Sequence, residues 1–270
     1  MMRQRKFYLV FLVAFVLVCG SLVFIHNFSA SGEVLRKNPP VLAIVIDDFG
    51  GADKHGVAEF MSMNIPITMA VMPNLIHSVE QSEEAHQKGH EVILHQPMEP
   101  VKGKKSWLGP GAITYTMNTE EIKTTFAKNL ESVPHASGFN NHTGSKLTSN
   151  REKVTPMLEV AKKKGLYVLD SRTSQDSQVI PAAKAMQLPW VKRDIFLDDV
   201  KSVVHIKKQM KKACRIAKKQ GYVVVIGHVG QGGKITAQAV KDALPLIEQE
   251  GIKIVPLSEI VRLNNEKGKV

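Results

Sequence analysis

From residue 41 onward, short apolar runs alternate with longer stretches in which apolar residues recur every three or four positions. The first run, Val41 to Ile46, is six consecutive apolar residues, mostly β-branched. It is too hydrophobic for a sheet with one wet face and predicts a strand buried on both sides, as in parallel sheets. Further strands are predicted at 66–72, 91–94, 136–140, 166–169, 190–193, 222–227 and 253–255. Helical periodicity marks 53–63, 77–88, 119–131, 151–164, 180–186, 200–219, 235–249 and 258–264. Asn118 and Glu121 have the spacing of a capping box. Gly89, Gly165, Gly221 and Gly251 each stand between a helix and the next strand, where a chain leaves a helix in the left-handed conformation. Seven or eight such βα units in one domain predict a parallel barrel rather than an open sheet. Residues 95–118, rich in Gly, Pro and Lys, form the one long connection, of the kind that makes lids or binding walls.

Ahead of this pattern, Arg3, Arg5 and Lys6 precede nineteen uncharged residues, Phe7 to Ile25, followed by the small-residue patch Ser29-Ala30-Ser31. That is the form of a secretory leader or membrane anchor, expected over residues 1–31. Residues 32–40 are then a linker, 41–264 a single barrel domain and 265–270 a tail. Nineteen residues just cross a hydrocarbon core, and the positive flank directs the rest of the chain outward. The domain is therefore expected to be secreted, or anchored to the outer face of the cytoplasmic membrane. A bulky Val18 ahead of Cys19 argues against lipid attachment, and Cys214 alone in the domain excludes an intrachain disulfide. The net charge of +11 lies largely in helix-face runs such as Lys162-Lys163-Lys164 and Lys211-Lys212. These runs have few aromatics nearby, so nucleic acid is not an expected partner. An anionic cell-wall polymer or membrane surface is the partner that such charge favours.

The candidate chemistry sits where the strands end. The first strand runs into Asp47-Asp48, and two adjacent carboxylates beside an apolar strand call for a cationic partner. One helix N-cap would account for one of them only. Later strands end in His95-Gln96-Pro97-Met98-Glu99, Asn140-Asn141-His142, Asp170-Ser171-Arg172, Arg193-Asp194 and Gly227-His228. In a barrel these ends ring one mouth, which makes residues distant in sequence into neighbours. No local zinc signature is present, so ligand types are legible but geometry is not. One carboxylate and two imidazoles suit Zn²⁺ with an open position, and the same donors suit Fe²⁺ or Co²⁺. Asn141, Asp170 and Glu99 are the candidate substrate contacts. Gly230-Gln231-Gly232-Gly233 before a helix raises the alternative of a phosphate cradle, although no Walker-type Lys-Ser/Thr follows.

The blocks Ile46-Asp47-Asp48-Phe49-Gly50, His95 to Pro100, Asn140 to Ser145, Arg193 to Asp198 and Ile226-Gly227-His228 together resemble the divergent polysaccharide deacetylase family. That family is related to NodB-type carbohydrate esterases, and the likeness covers about residues 40–264. The resemblance implies a distorted (β/α)₇ barrel, with Asp47 as general base, Asp48 and His95 as metal ligands and His228 as general acid. Related enzymes place a second ligand histidine four residues after the first, where this chain has Glu99. Either Glu99 or His142 then completes the shell, and the strand-end setting favours His142. Arg193 is the candidate partner of Asp47, and Asp194 or Asp170 the candidate to keep the His228 imidazole charged. The implied activity is hydrolysis of N-acetyl groups on an extracellular or cell-wall glycan. The alternative is a non-catalytic glycan-binding or wall-assembly protein on the same scaffold.

Overall fold

The computed structural model describes residues 39–104 and 107–267. The expected leader or anchor lies outside them, and among the described residues no helix is long and apolar enough to cross a membrane. The strands are β1 (Val41–Phe49), β2 (Thr68–Val71), β3 (Glu91–Met98), β4 (Ala136–Thr143), β5 (Tyr167–Asp170), β6 (Trp190–Lys192), β7 (Ile195–Phe196), β8 (Tyr222–His228) and β9 (Lys253–Ile254). Between and after them run α1 (Val57–Met61), α2 (Ser78–Gln87), α3 (Thr119–Glu131), α4 (Arg151–Lys163), α5 (Val179–Ala185), α6 (Val203–Gln220), α7 (Gly233–Gln249) and α8 (Leu257–Lys267). The strands form one sheet in the order β6-β5-β4-β3-β2-β1-β8-β7, with β9 beside β1. Every pairing is parallel. Only Arg193 and Asp194 separate β6 from β7, at opposite ends of that order. The Arg193 N–H donates to Asp170 O on one side, and the Asp194 N–H to Val224 O on the other. The sheet is thus curled until its edges are bridged by two residues of chain, the expected distorted (β/α)₇-type barrel.

The capping box forms as its spacing requires: Asn118 accepts from the Glu121 N–H, and the Glu121 carboxylate accepts from the Asn118 N–H. Gly89, Gly165, Gly221 and Gly251 all take positive φ, as expected where helices end. Three differences from the expected elements bear on the site. The first helix begins at Val57 rather than 53, after a turn through Gly56 at φ 89°. The two-residue β7 was not foreseen. β3 and β4 run on through His95 and His142 to Met98 and Thr143, because polar residues at a strand end still pair. That third difference builds the site.

Alternation along the strands sorts side chains into two layers. Leu42, Ile44, Ile46, Val92, Leu94 and Val225 face outward and pack beneath the helices. Val41, Ala43, Val45, Ile93, Leu169 and Ile226 face inward, where Leu257, Ile260 and Val261 of α8 join them. Polar contacts fix α8 at the amino ends of the strands. Leu257 N–H donates to Thr68 Oγ1, Ser258 N–H to Glu91, and the Asn264 amide to Trp190 O. The barrel is therefore filled below and plugged at one end, leaving the carboxyl end for chemistry.

Candidate metal centre and active site

Continuing the inward alternation by one step places the site. After Val45 comes Asp47, after Ile93 comes His95, after Leu169 comes Ser171, after Ile226 comes His228, and β4 contributes Asn140 and His142. Strict alternation would turn Asp48 outward. Instead the β1–β2 register shifts between Ile46 and Phe49, and Asp48 takes φ 72°. A left-handed non-glycine residue costs about 1 kcal/mol or more, and such strain gathers where a side chain has to be re-aimed. Here it brings two consecutive carboxylates to one mouth.

Asp48 Oδ1 lies 3.1 Å from His142 Nδ1 and 3.3 Å from His95 Nε2, and those two nitrogens are 3.1 Å apart. Asp48 Oδ1 is buried, and neither imidazole meets it with hydrogen-bond geometry. The surrounding bonds say where the protons are. A carboxylate only accepts, so Asn140 turns its NH₂ to Asp47 Oδ1, at 2.9 Å. Asn140 Oδ1 then faces His95 Nδ1 at 2.7 Å, which must donate, and this leaves His95 Nε2 bare. The Trp107 carbonyl likewise accepts from His142 Nε2–H at 3.3 Å, which leaves His142 Nδ1 bare. Three acceptor atoms thus face one another, and a cation or a proton has to stand among them. Tetrahedral zinc ligands bonded at about 2.0–2.1 Å lie roughly 3.3 Å apart, so the donors fit a metal in both type and spacing. Where a proton fills that place, burial works to raise the Asp48 carboxyl, but the protonated imidazoles outweigh it and hold it well below the usual range.

Beside this cluster, Asp47 is 2% exposed, and burial raises its pKa against the pull of His95 and His228. Its Oδ2 lies 3.7 Å from His95 Nε2. His228 is the Cα partner of Asp47 on the neighbouring strand, and the Val229 N–H donates to Asp47 O. The partner of His228 is Asp198, not Asp194 or Asp170. His228 Nδ1 meets Asp198 Oδ1 at 2.8 Å, while Asp198 Oδ2 accepts from His228 N–H, Lys201 Nζ and Thr236 Oγ1 at 3.0, 2.7 and 2.9 Å. Burial opposes charge on both partners, but the bond prevails. His228 is pushed up to about 9 and Asp198 down to about 2.

The other candidate residues stand elsewhere. Asp194 Oδ2 accepts from Val224 N–H, four residues before His228 along β8, about 13 Å of strand. Asp170 faces outward and accepts from Arg172 N–H. Arg193 does not bond Asp47. Its guanidinium donates to Ser171 O and Arg172 O and lies 3.7 Å over Phe196, whose ring stacks against His228 at 5.7 Å. Asn141, on the opposite face from Asn140, accepts from Ser171 N–H and donates to Thr143 O and Thr173, which knits β4 to the loop after β5. Glu99 is engaged by Lys146 Nζ at 2.5 Å and Tyr115 N–H at 2.7 Å. Two residues that the sequence reading passed over do join the site, Asn140 and Asp198. Asn140 shares a strand face with His142, two residues on, whereas no candidate residue marks Asp198 in the same way. The glycine-rich turn has a packing explanation. A Cβ on Gly232 would sit 2.9 Å from Lys201 Cδ, and one on Gly233 2.2 Å from His55 O.

An uncharacterised Escherichia coli protein, YibQ, is 35% identical over 209 residues, which cover 76% of this chain and 65% of that protein. The chain thus matches slightly less than two thirds of that relative's length. An uncharacterised Haemophilus influenzae protein is 33% identical over 228 residues, covering 84% of this chain and 78% of its own. Among solved structures, an uncharacterised Agrobacterium tumefaciens protein superposes with a TM-score of 0.76 at 20% identity, covering 83% and 89% of the two chains. The Xyl-CE4 domain of a multidomain xylanase, from the hindgut metagenome of Trinervitermes trinervoides, superposes with a TM-score of 0.50 at 12% identity over 84% and 92%. At such identities the likeness is one of fold. Residues 44–261 match the divergent polysaccharide deacetylase family, and the chain belongs to that family.

Proposed function

We propose that the protein is a metal-dependent hydrolase that removes N-acetyl groups from an extracellular or cell-wall glycan. The observation that carries this reading is the convergence of Asp48 Oδ1, His95 Nε2 and His142 Nδ1, three acceptors 3.1–3.3 Å apart. Zn²⁺ suits this donor set, with a position left open for substrate. Bound there, the ion would polarise the acetamide carbonyl and make water more acidic.

The chain's own residues supply the rest. Asp47 takes a proton from the attacking water. Asn140 holds one of its oxygens, which leaves the other to receive the proton. With a pKa of about 9, His228 is protonated at neutral pH, and Asp198 occupies its Nδ1, so the mobile proton is on Nε2. Base and acid end adjacent strands in register, about 4.8 Å apart, so they can flank a single acetamide. As the C–N bond breaks, His228 gives its proton to the leaving nitrogen, and acetate and a free amino sugar result. Arg193 and Phe196 form the wall on which the His228 ring rests. Export through the N-terminal segment, and attraction of the lysine-rich helix faces to anionic wall polymers, belong to the same reading.

The test is acetate release from N-acetylated glycans by the zinc-loaded chain, beside Asp47→Asn and His228→Ala. Release by the parent and its loss in both variants is the expected result. Stoichiometric zinc and glycan binding without acetate release would instead mark a binding protein on this scaffold.

A further inference from the structure

Among the described residues, every exposed large apolar side chain lies in a connection leaving the carboxyl end of a strand, or in the first turn of the next helix. Ile76 follows β2, Trp107 and Tyr115 follow β3, Val200 and Val204 follow β7, and Ile235 follows β8. The apolar surface left open therefore belongs to the mouth side of the barrel and exceeds what one acetamide needs.

The two aromatic members differ. Tyr115 is occupied, with Lys146 and Lys153 ammonium groups 4.8 and 5.4 Å from its ring and the Asn150 amide on its hydroxyl. Trp107 is 64% exposed, and Lys104 stands 6.0 Å away, at the limit of cation–π reach. Gly103 backs one side of the indole, where an added Cβ would lie 3.5 Å from Cε3. The loop that carries Trp107 is pinned to the barrel. Glu99 N–H donates to Ile113 O, and the Gln96 and Asn129 amides both donate to Gly111 O. The Trp107 carbonyl itself accepts from His142.

The geometry points to Trp107 as a stacking platform for the sugar ring next to the one whose acetamide enters the Asp48–His95–His142 cluster. The substrate is then an oligomeric glycan, not a single amino sugar. A pyranose ring offers an apolar C–H face, and an open indole is a large rigid surface that loses little conformational freedom when it is covered. The position of the reacting sugar rests on the deacetylase reading, whereas the platform can be tested without it.

Trp107 and Trp190 are the two tryptophans of the chain, so Trp190→Phe leaves Trp107 as the sole indole fluorophore. In that full-length variant, the β-1,4-linked tetramer of N-acetylglucosamine is expected to shift the emission, and the monomer is not. For acetate release, Trp107→Ala is expected to lower the tetramer-to-monomer ratio of kcat/KM about tenfold, and Trp107→Phe to restore part of it. No emission shift with the tetramer, or an unchanged ratio in an active Trp107→Ala protein, overturns the proposal. So does a shift with anionic phospholipid vesicles but not with the tetramer, which would give this surface to a membrane. A tetramer-induced shift without any acetate release would keep the platform and refute the deacetylase instead.

Discussion

The two halves of the mouth are built on opposite principles. Around Asp48, on the β1–β3–β4 side, a carboxylate oxygen and two imidazole nitrogens meet as acceptors, with their neighbours' bonds directing the protons away. Around Asp198, on the β7–β8 side, one carboxylate is surrounded by donors from His228, Lys201 and Thr236. The first arrangement needs something from outside to be stable, whereas the second is complete. A buried charge without a partner is costly, so the contrast sets a cluster that calls for a cation or a proton against a closed network that keeps His228 charged.

The largest effect that could break this contrast is at Asp48. Asp48→Ala is expected to lower zinc content from about one equivalent to near zero, and acetate release by about 10³-fold or more. His228→Ala is expected to keep its zinc while kcat falls by about 10²- to 10⁴-fold. Zinc loss in that variant would mean that the two halves are not independent. Asn140→Ala, which frees the His95 ring and Asp47 together, should weaken zinc binding by about 10- to 100-fold in a competition titration against a chelator.

Asp198→Asn probes the other half at smaller scale. The His228 pKa should fall from about 9 towards its ordinary 6.5, read from the ring resonances, and the alkaline limb of activity should move down with it. Stability should follow the same pair. The raised His228 contributes fully below 6.5 and loses its contribution as pH rises through about 9. The depressed Asp198 contributes fully above 3.8 and loses its contribution as pH falls through about 2. The stability gap between parent and Asp198→Asn, about 2 kcal/mol, should therefore be widest between about pH 4 and 6.5 and close on either side in urea titrations.

How much of this was legible in the sequence differs between the same two halves. The barrel was, because alternating apolar runs and glycines at helix ends are local signals. Asp48, His95 and His142 were legible as strand-end donors. What sequence could not supply was aim. Adjacent carboxylates on a strand ought to face opposite ways, and only the register shift and the left-handed backbone at Asp48 turn both into the mouth. Asp194 stood nearer in the chain to an expected strand end than Asp198 did. The unforeseen β7 carries the chain further along the barrel, so that Asp198 reaches His228 while Asp194 stays at the level of Val224. Asn140 and Asn141 are chemically identical, and only the β4 register decides that Asn140 serves the site while Asn141 serves the fold.

In the proposed reading His142, and not Glu99, completes a three-acceptor cation site with Asp48 and His95. Zinc content of purified Glu99→Ala and His142→Ala proteins tests it most directly. Glu99→Ala is expected to retain about one equivalent, because Glu99 is held by Lys146 and the Tyr115 N–H, and His142→Ala to lose most of it. Zinc retained in His142→Ala and lost in Glu99→Ala would contradict it.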